Sequence, residues 1–187
     1  MSQTLADPKN QFKVVFAQLD VPVIRTGWTT DDRIAGGSKA DELNGEDGDD
    51  VLKGNGDDDV LRGGNGSDLL VGGPGVDEMF GESGRDVFDF NPADDLMVCP
   101  ACDTIEDFRK GKDRIDVSDI DARAGSAKND AFTFVGAAKF SGAKGELRYR
   151  RKARNVIVQA DTNGDGKADF EILVRKNRKL AKRDFVL

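Results

Sequence analysis

Residues 27–89 repeat a nine-residue unit seven times without a gap, and this regularity leaves the chain few folds to choose from. Each unit opens on glycine: Gly27, Gly36, Gly45, Gly54, Gly63, Gly72 and Gly81. Five residues later each carries an aspartate: Asp32, Asp41, Asp50, Asp59, Asp68, Asp77 and Asp86. Two further on stands a large apolar residue: Ile34, Leu43, Leu52, Leu61, Leu70, Met79 and Phe88. The unit is spelled most fully as GGNGSDLLV at 63–71 and GGPGVDEMF at 72–80. This is G-G-x-G-x-D-x-U-x with U apolar, a nonapeptide that predicts a right-handed parallel β-roll binding calcium. A disordered Gly/Asp linker has comparable composition, but it has no reason to keep an apolar residue at every eighth position.

The spacing carries the chemistry. Glycine at the first, second and fourth positions permits positive φ and a tight turn whose carbonyls point inward. The x-U-x that follows is long enough for a three-residue strand. Two units make one turn of 18 residues, so each unit stacks on the next but one. Neighbouring strands lie about 4.8 Å apart. Stacked carboxylates at that separation repel by about 3 kcal/mol at an effective dielectric near 20. A hard cation that takes six to eight oxygens removes the conflict, which points to calcium. Seven units give five such pairings, hence up to five ions, with folding and binding one equilibrium. The expected ligands are the carboxylates of Asp41, Asp50, Asp59, Asp68, Asp77 and Asp86, with Asp47 and Asn65. They are joined by the loop glycines Gly36, Gly45, Gly48, Gly54, Gly56, Gly63, Gly64, Gly66, Gly72, Gly73, Gly75, Gly81 and Gly84. Asp32 is a further candidate in the least regular unit. Position 4 holds Thr30 and Lys39 in the first two units, and neither suits positive φ, so the first turns are expected to be irregular.

No histidine occurs in the 187 residues, which excludes a His-dependent triad, a histidine general base and the H-E-x-x-H zinc helix. No apolar run is long enough to span a membrane, and the chain is read as a monomer. Residues 1–26 are read as an N-terminal cap or a remnant of an upstream region, with short strands at Gln11–Ala17 and Val21–Ile24. Pro22 places the second of these at a sheet edge. A basic stretch followed by an apolar core is missing there, so no cleavable leader is expected.

Downstream of the repeats, Asn91–Cys102 reads as a loop holding the only cysteines, in C-P-A-C. One C-x-x-C cannot close a tetrahedral zinc site. A local disulfide, a reduced pair and a redox role all remain open. Asp103-Thr-Ile and Asp113-Arg-Ile keep an apolar residue two after an aspartate, so two more strands are expected. Ser118–Asp121 reads as a helix start, ending by Gly125. Residues 131–135, 146–149, 155–160 and 168–174 read as antiparallel strands. The turn between the last two, D-T-N-G-D-G at 161–166, copies half an EF-hand loop, making Asp161, Asn163, Asp165 and Asp169 a second metal candidate. Its twelfth position is Ile172, where a bidentate glutamate belongs.

DTIEDFRKGKDRIDVSDI at 103–120, FSGAKGELRY at 140–149, DTNGDGKADFEI at 161–172 and the ending Asp184-Phe185-Val186-Leu187 resemble the C-terminal domain of serralysin-type metalloproteases. These belong to the RTX proteins, and a similar module is appended to mannuronan epimerases. The resemblance covers about residues 27–187 and implies a β-roll over 27–107 continuing into an antiparallel, sandwich-like part over 108–187. It implies a secreted, extracellular bacterial protein with calcium as its cofactor. It also implies a type I (ABC) exporter as partner, reading the last four residues. The protease itself has no counterpart here. Charge is segregated: residues 27–107 carry 22 acidic and 5 basic side chains, residues 145–187 carry 6 and 12. Arg148, Arg150, Arg151, Lys152 and Arg154 form a basic cluster. It is either a solvated face or, by analogy with the epimerase modules, a site for an acidic polysaccharide such as alginate. Nucleic acid is not expected, because only Tyr149 is interleaved with the cluster. The expected function is a calcium-driven folding and secretion module with no chemistry of its own, ahead of a polysaccharide-binding module and, last, an enzyme fragment.

Overall fold

A computed structural model describes residues 14–15, 21–91, 98–125, 128–177 and 179–187. The repeats give β1 (Val14–Val15), β2 (Ile24–Thr26), β3 (Arg33–Ala35), β4 (Glu42–Asp47), β5 (Val51–Lys53), β6 (Val60–Gly66), β7 (Leu69–Val71), β8 (Glu78–Gly84) and β9 (Val87–Asp89), counting the two strands that precede them. Beyond lie β10 (Thr104–Ile105), β11 (Arg114–Asp116), β12 (Thr133–Gly136), β13 (Glu146–Lys152), β14 (Asn155–Asp161), β15 (Phe170–Val174) and β16 (Phe185–Val186). A single 3-10 turn, Lys182–Asp184, is the nearest thing to a helix among the described residues.

Alternate strands go to opposite sheets. One sheet runs β1-β3-β5-β7-β9-β11-β16, the other β12-β13-β14-β15-β10-β8-β6-β4-β2. Within the repeats every pairing is parallel and offset by 18 residues, as in Leu52↔Leu70 and Leu61↔Met79. That offset is two nonapeptides, so the x-U-x strands stack as the spacing requires. The apolar eighth residues from Ile34 to Phe88 are all buried between the sheets, and Ile105 and Ile115 continue the row. Fully burying each such side chain contributes roughly 1.5–3 kcal/mol, and the row runs unbroken into the C-terminal part through Leu147, Val158, Ile172 and Phe185. The two sheets thus share one core.

The two strands expected after Asp103 form as β10 and β11, parallel to β8 and β9. β13, β14 and β15 are antiparallel neighbours, and β15 joins β10 in parallel, so the C-terminal hairpins extend the second sheet. Two expectations are corrected. Residues 118–125 form no helix: Asp116 Oδ1 accepts Ser118 N and Oγ, and Asp121 Oδ1 accepts Arg123 N, so side-chain acceptors hold the backbone in turns. β12 runs parallel, not antiparallel, to β13. The 137–145 connection, flanked by Gly136 and Gly145 at positive φ, is too long for a hairpin and returns the chain to the same end. Most of the strand expected at Gln11–Ala17 lies outside the described residues; its centre is β1. The strand expected at Val21–Ile24 is shifted: only Ile24 belongs to β2, which lies at the edge of its sheet with Pro22 just before it.

Candidate metal centre

The repeat aspartates turn into the roll and line its two long edges. On one edge Asp32, Asp50, Asp68 and Asp86 stack; on the other, Asp41, Asp59 and Asp77. All are at most 4% exposed. From Asp50 to Asp86 each Oδ1 accepts the backbone N–H of the aspartate one turn back, as Asp59 does from Asp41 at 2.7 Å, Asp68 from Asp50 at 2.9 Å and Asp77 from Asp59 at 2.8 Å, while Asp41 Oδ1 accepts Val23 N. One oxygen of each of these carboxylates is thereby satisfied.

The other oxygen distinguishes the middle of the roll from its start. In the first two units it has a donor: Trp28 N to Asp32 Oδ2 at 2.7 Å and Gly37 N to Asp41 Oδ2 at 2.5 Å. In Asp50, Asp59 and Asp68 the Oδ2 atom is buried with no hydrogen-bond partner. A buried, unsatisfied charged oxygen costs several kcal/mol. Burial accordingly pushes the carboxyls up, to about 6 in Asp50 and about 7 in Asp59 and Asp68, with the stacked carboxylates adding to the effect.

Main-chain oxygens converge on the same places. A Cβ built on Gly54 would run into Asp59 Oδ2 and Gly72 O, and one on Gly45 into Asp50 Oδ2 and Gly63 O. The first glycine is therefore obligatory: its missing side chain leaves the space in which carboxylate and carbonyl oxygens meet. Carbonyls of the second and fourth positions point along the stack as well, Glu46 O toward Gly64 and Gly48 O toward Gly66. Gly64 and Gly66 take φ of 109° and 143° to admit them. Glu46, Asn55 and Asp57 hold positive φ without being glycine, whereas Thr30 and Lys39 do not adopt it. The first two loops are irregular, as their fourth residues predict. Among the described residues no three carboxylates cluster. The spaces beside Gly36, Gly45 and Gly54 instead combine a carboxylate with a main-chain carbonyl, a hard, all-oxygen set of the kind calcium takes. The donors present fit that ion.

Other candidates fare differently. Asp47 and Asn65 are exposed and bonded to each other, Asn65 Nδ2 donating to Asp47 Oδ1 at 2.8 Å. In the 161–169 loop Asp161 accepts Gly164 N and Gly166 N, and Asp169 accepts Thr162 N, so both carboxylates are occupied by the turn's own amides. Asn163 and Asp165 are exposed, each accepting an amide two residues on. The basic cluster is split. Arg148 donates to Gln159 Oε1 at 2.8 Å and lies over the Phe140 ring, and Arg150 pairs with Glu171 at 3.8 Å. Arg151, Lys152 and Arg154 are exposed. Cys99 and Cys102 form a disulfide, and Cys99 N donates to Glu171 Oε2, tying the loop to β15. The ending is the closing strand: Asp184 is fully buried, with Oδ2 accepting Ala181 N, and Phe185 packs against Phe134.

The ladders also run beyond the repeats. Asp103 Oδ1 accepts Asp77 N, and Asp113 Oδ1 accepts Asp86 N, adding one carboxylate to each edge. The traces in the sequence are the Asp-x-apolar triplet at each and Gly111 two residues before Asp113. An outer ladder was not foreseen: Asp31 accepts Asp49 N, Asp49 accepts Ser67 N and Asp58 accepts Val76 N.

The fold is similar to that of a subunit of the Azotobacter vinelandii mannuronan C5-epimerase, solved in solution, with a TM-score of 0.51 and 21% identity over 97% of this chain and 86% of that one. A second subunit of the same enzyme aligns over 89% of this chain and 92% of its own, with 19% identity and a TM-score of 0.46. No curated protein matches. Residues 27–187, the repeats together with the whole C-terminal part, match the family profile of the serralysin (peptidase M10) C-terminal domain, and the chain belongs to that family.

Proposed function

We propose that the chain is a calcium-driven folding module, without catalytic chemistry of its own, that closes outside the cell after export. The observation that carries this reading is the run of buried, unpartnered Oδ2 atoms in Asp50, Asp59 and Asp68, the first two beside the carbonyl oxygens of Gly63 and Gly72. Calcium would be held by the position-six carboxylates and loop carbonyls, where it neutralises the stacked charge. The side chains do the rest: they pin each loop amide through Oδ1 and seat the apolar row. Circular dichroism tests it. Chelator should leave largely coil, and calcium near 0.1–1 mM, the range of extracellular sites, should raise the β signal. Equal β content in both would end the proposal.

Export through a type I exporter, with Asp184–Leu187 as the address, belongs to the same reading. Asp184 and Phe185 are buried in the closed form, so recognition must precede folding. A second reading, a surface for acidic polysaccharide, is favoured by a concavity of about 350 Å³. It brings Lys139, Arg148 and Lys167 together beside Phe140. Alginate oligomers, chosen because the similar subunit belongs to a mannuronan epimerase, should bind at low salt and release as salt screens the charges. Binding that survives reversal of Lys139 and Lys167 would exclude this surface.

A further inference from the structure

The two ladders end differently, and the difference lies in one side chain. Residues 108–116, FRKGKDRID, occupy the place of a ninth unit, on the edge that carries Asp32, Asp50, Asp68 and Asp86, Asp103 standing in the eighth place on the other edge. Gly111 stands at the fourth position at positive φ, Asp113 at the sixth and buried Ile115 at the eighth. Arg109 N donates to Asp113 Oδ2, as Trp28 N does to Asp32 and Gly37 N to Asp41, each four residues ahead. The backbone is therefore that of a repeat, but the second position holds arginine where the pattern has glycine.

Its guanidinium reaches back into the interloop space. Nη2 donates to Gly84 O at 3.0 Å and to Asp86 Oδ2 at 3.0 Å, and lies 3.6 Å from Asp113 Oδ1. These are the oxygen types that meet lower in the stack, at Asp50 with Gly63 O and at Asp59 with Gly72 O. Gly84 O is a fourth-position carbonyl, like Gly48 O beside Gly66 and Asp57 O beside Gly75. Asp86 is a sixth-position carboxylate whose Oδ2 has a partner, where those of Asp50, Asp59 and Asp68 have none. The same rung is tied again by Asp107, which accepts Gly81 N and Glu82 N at 2.9 Å.

We infer that Arg109 is a built-in cation: it fills the site between Asp86 and Asp113 that calcium would otherwise take. The last rung, β8 to β11, then holds together without metal and templates the roll, which closes from it toward β2 as calcium arrives. This rests on the calcium reading above, and two measurements separate their fates. The first is calcium stoichiometry by calorimetric titration of the full chain. Arg109→Gly, which restores the repeat residue, should bind one ion more than wild type, and Arg109→Lys, which keeps the charge, should match wild type. An unchanged count in Arg109→Gly overturns the inference.

The second measurement needs no calcium. In chelator, amides of 86–90 and 103–116 in the wild type should exchange about tenfold or more slowly relative to those of 41–68, and Arg109→Gly should abolish the difference. Uniform exchange along the wild-type chain overturns the inference even if the variant never folds. A wild type that takes up no calcium overturns the parent reading, and the exchange pattern in chelator still decides for or against the guanidinium.

Discussion

Replacing Asp59 and Asp68 together by asparagine should shift the chain in opposite directions with and without calcium. Both carboxyls are 1% exposed and pushed to about 7 from an ordinary 3.8. At 1.36 kcal/mol per unit, closing the roll with either one ionised costs about 4 kcal/mol above pH 7. Asparagine keeps the Oδ1 acceptor for the Asp41 and Asp50 amides, and it turns an amide group toward the space shared with main-chain carbonyls such as Gly72 O. The two positions lie on opposite edges and share no partner, so their effects should add approximately. In chelator at pH 8 the double variant should show more β signal than the parent and a higher urea midpoint. In a calcium titration it should need more calcium, having lost two charged ligands. A variant no better closed in chelator than the parent, or one binding calcium as tightly, would refute the claim that these carboxylates oppose closure until a cation arrives.

Three further outcomes follow from the same geometry. Acid should substitute in part for calcium: because the closed form raises these pKa values, its penalty is complete above about pH 7 and fades toward pH 4. Circular dichroism in chelator should therefore gain β signal across that window, and a flat profile would contradict the assignment. Gly54→Ala places a methyl against Asp59 Oδ2 and Gly72 O and should cost about 2 kcal/mol or more, whereas Gly56→Ala, whose nearest neighbour would be Pro74 O at 3.9 Å, should stay within about 0.5 kcal/mol in a melt with calcium. Phe185→Ala should cost about 3–5 kcal/mol, while Val186→Ser, at a 38% exposed position, should cost little; a polar change at Val186 is thus the cleaner probe of export than deleting the ending.

The roll was legible because each of its three constraints falls on a fixed position: glycine where a Cβ would meet oxygen, aspartate at the buried edge, an apolar side chain in the core. The irregularity of the first loops was legible for the same reason, from Thr30 and Lys39. The continuation past Phe88 was only half visible. The ladder resumes at Asp103, 26 residues after Asp77 instead of 18, and the glycine signature is replaced by Phe108 and Arg109. Local side-chain bonding decided the turns at 116–123, which apolar periodicity cannot report. The fate of the basic cluster depended on β14 and β15: Gln159 and Glu171 engage Arg148 and Arg150 from strands whose register no local pattern fixes.

The offset of 18 residues imposes a rule of parity on the length of the roll. Successive units alternate between the two sheets, so inserting or removing two units lengthens or shortens the stack and leaves every downstream strand in its sheet. A single added unit would move β11 to the opposite side and separate it from β16, while β10 would lose β15. Length can drift in this architecture only by whole turns. A chain carrying one extra nonapeptide would have to reinvent its C-terminal half to accommodate it.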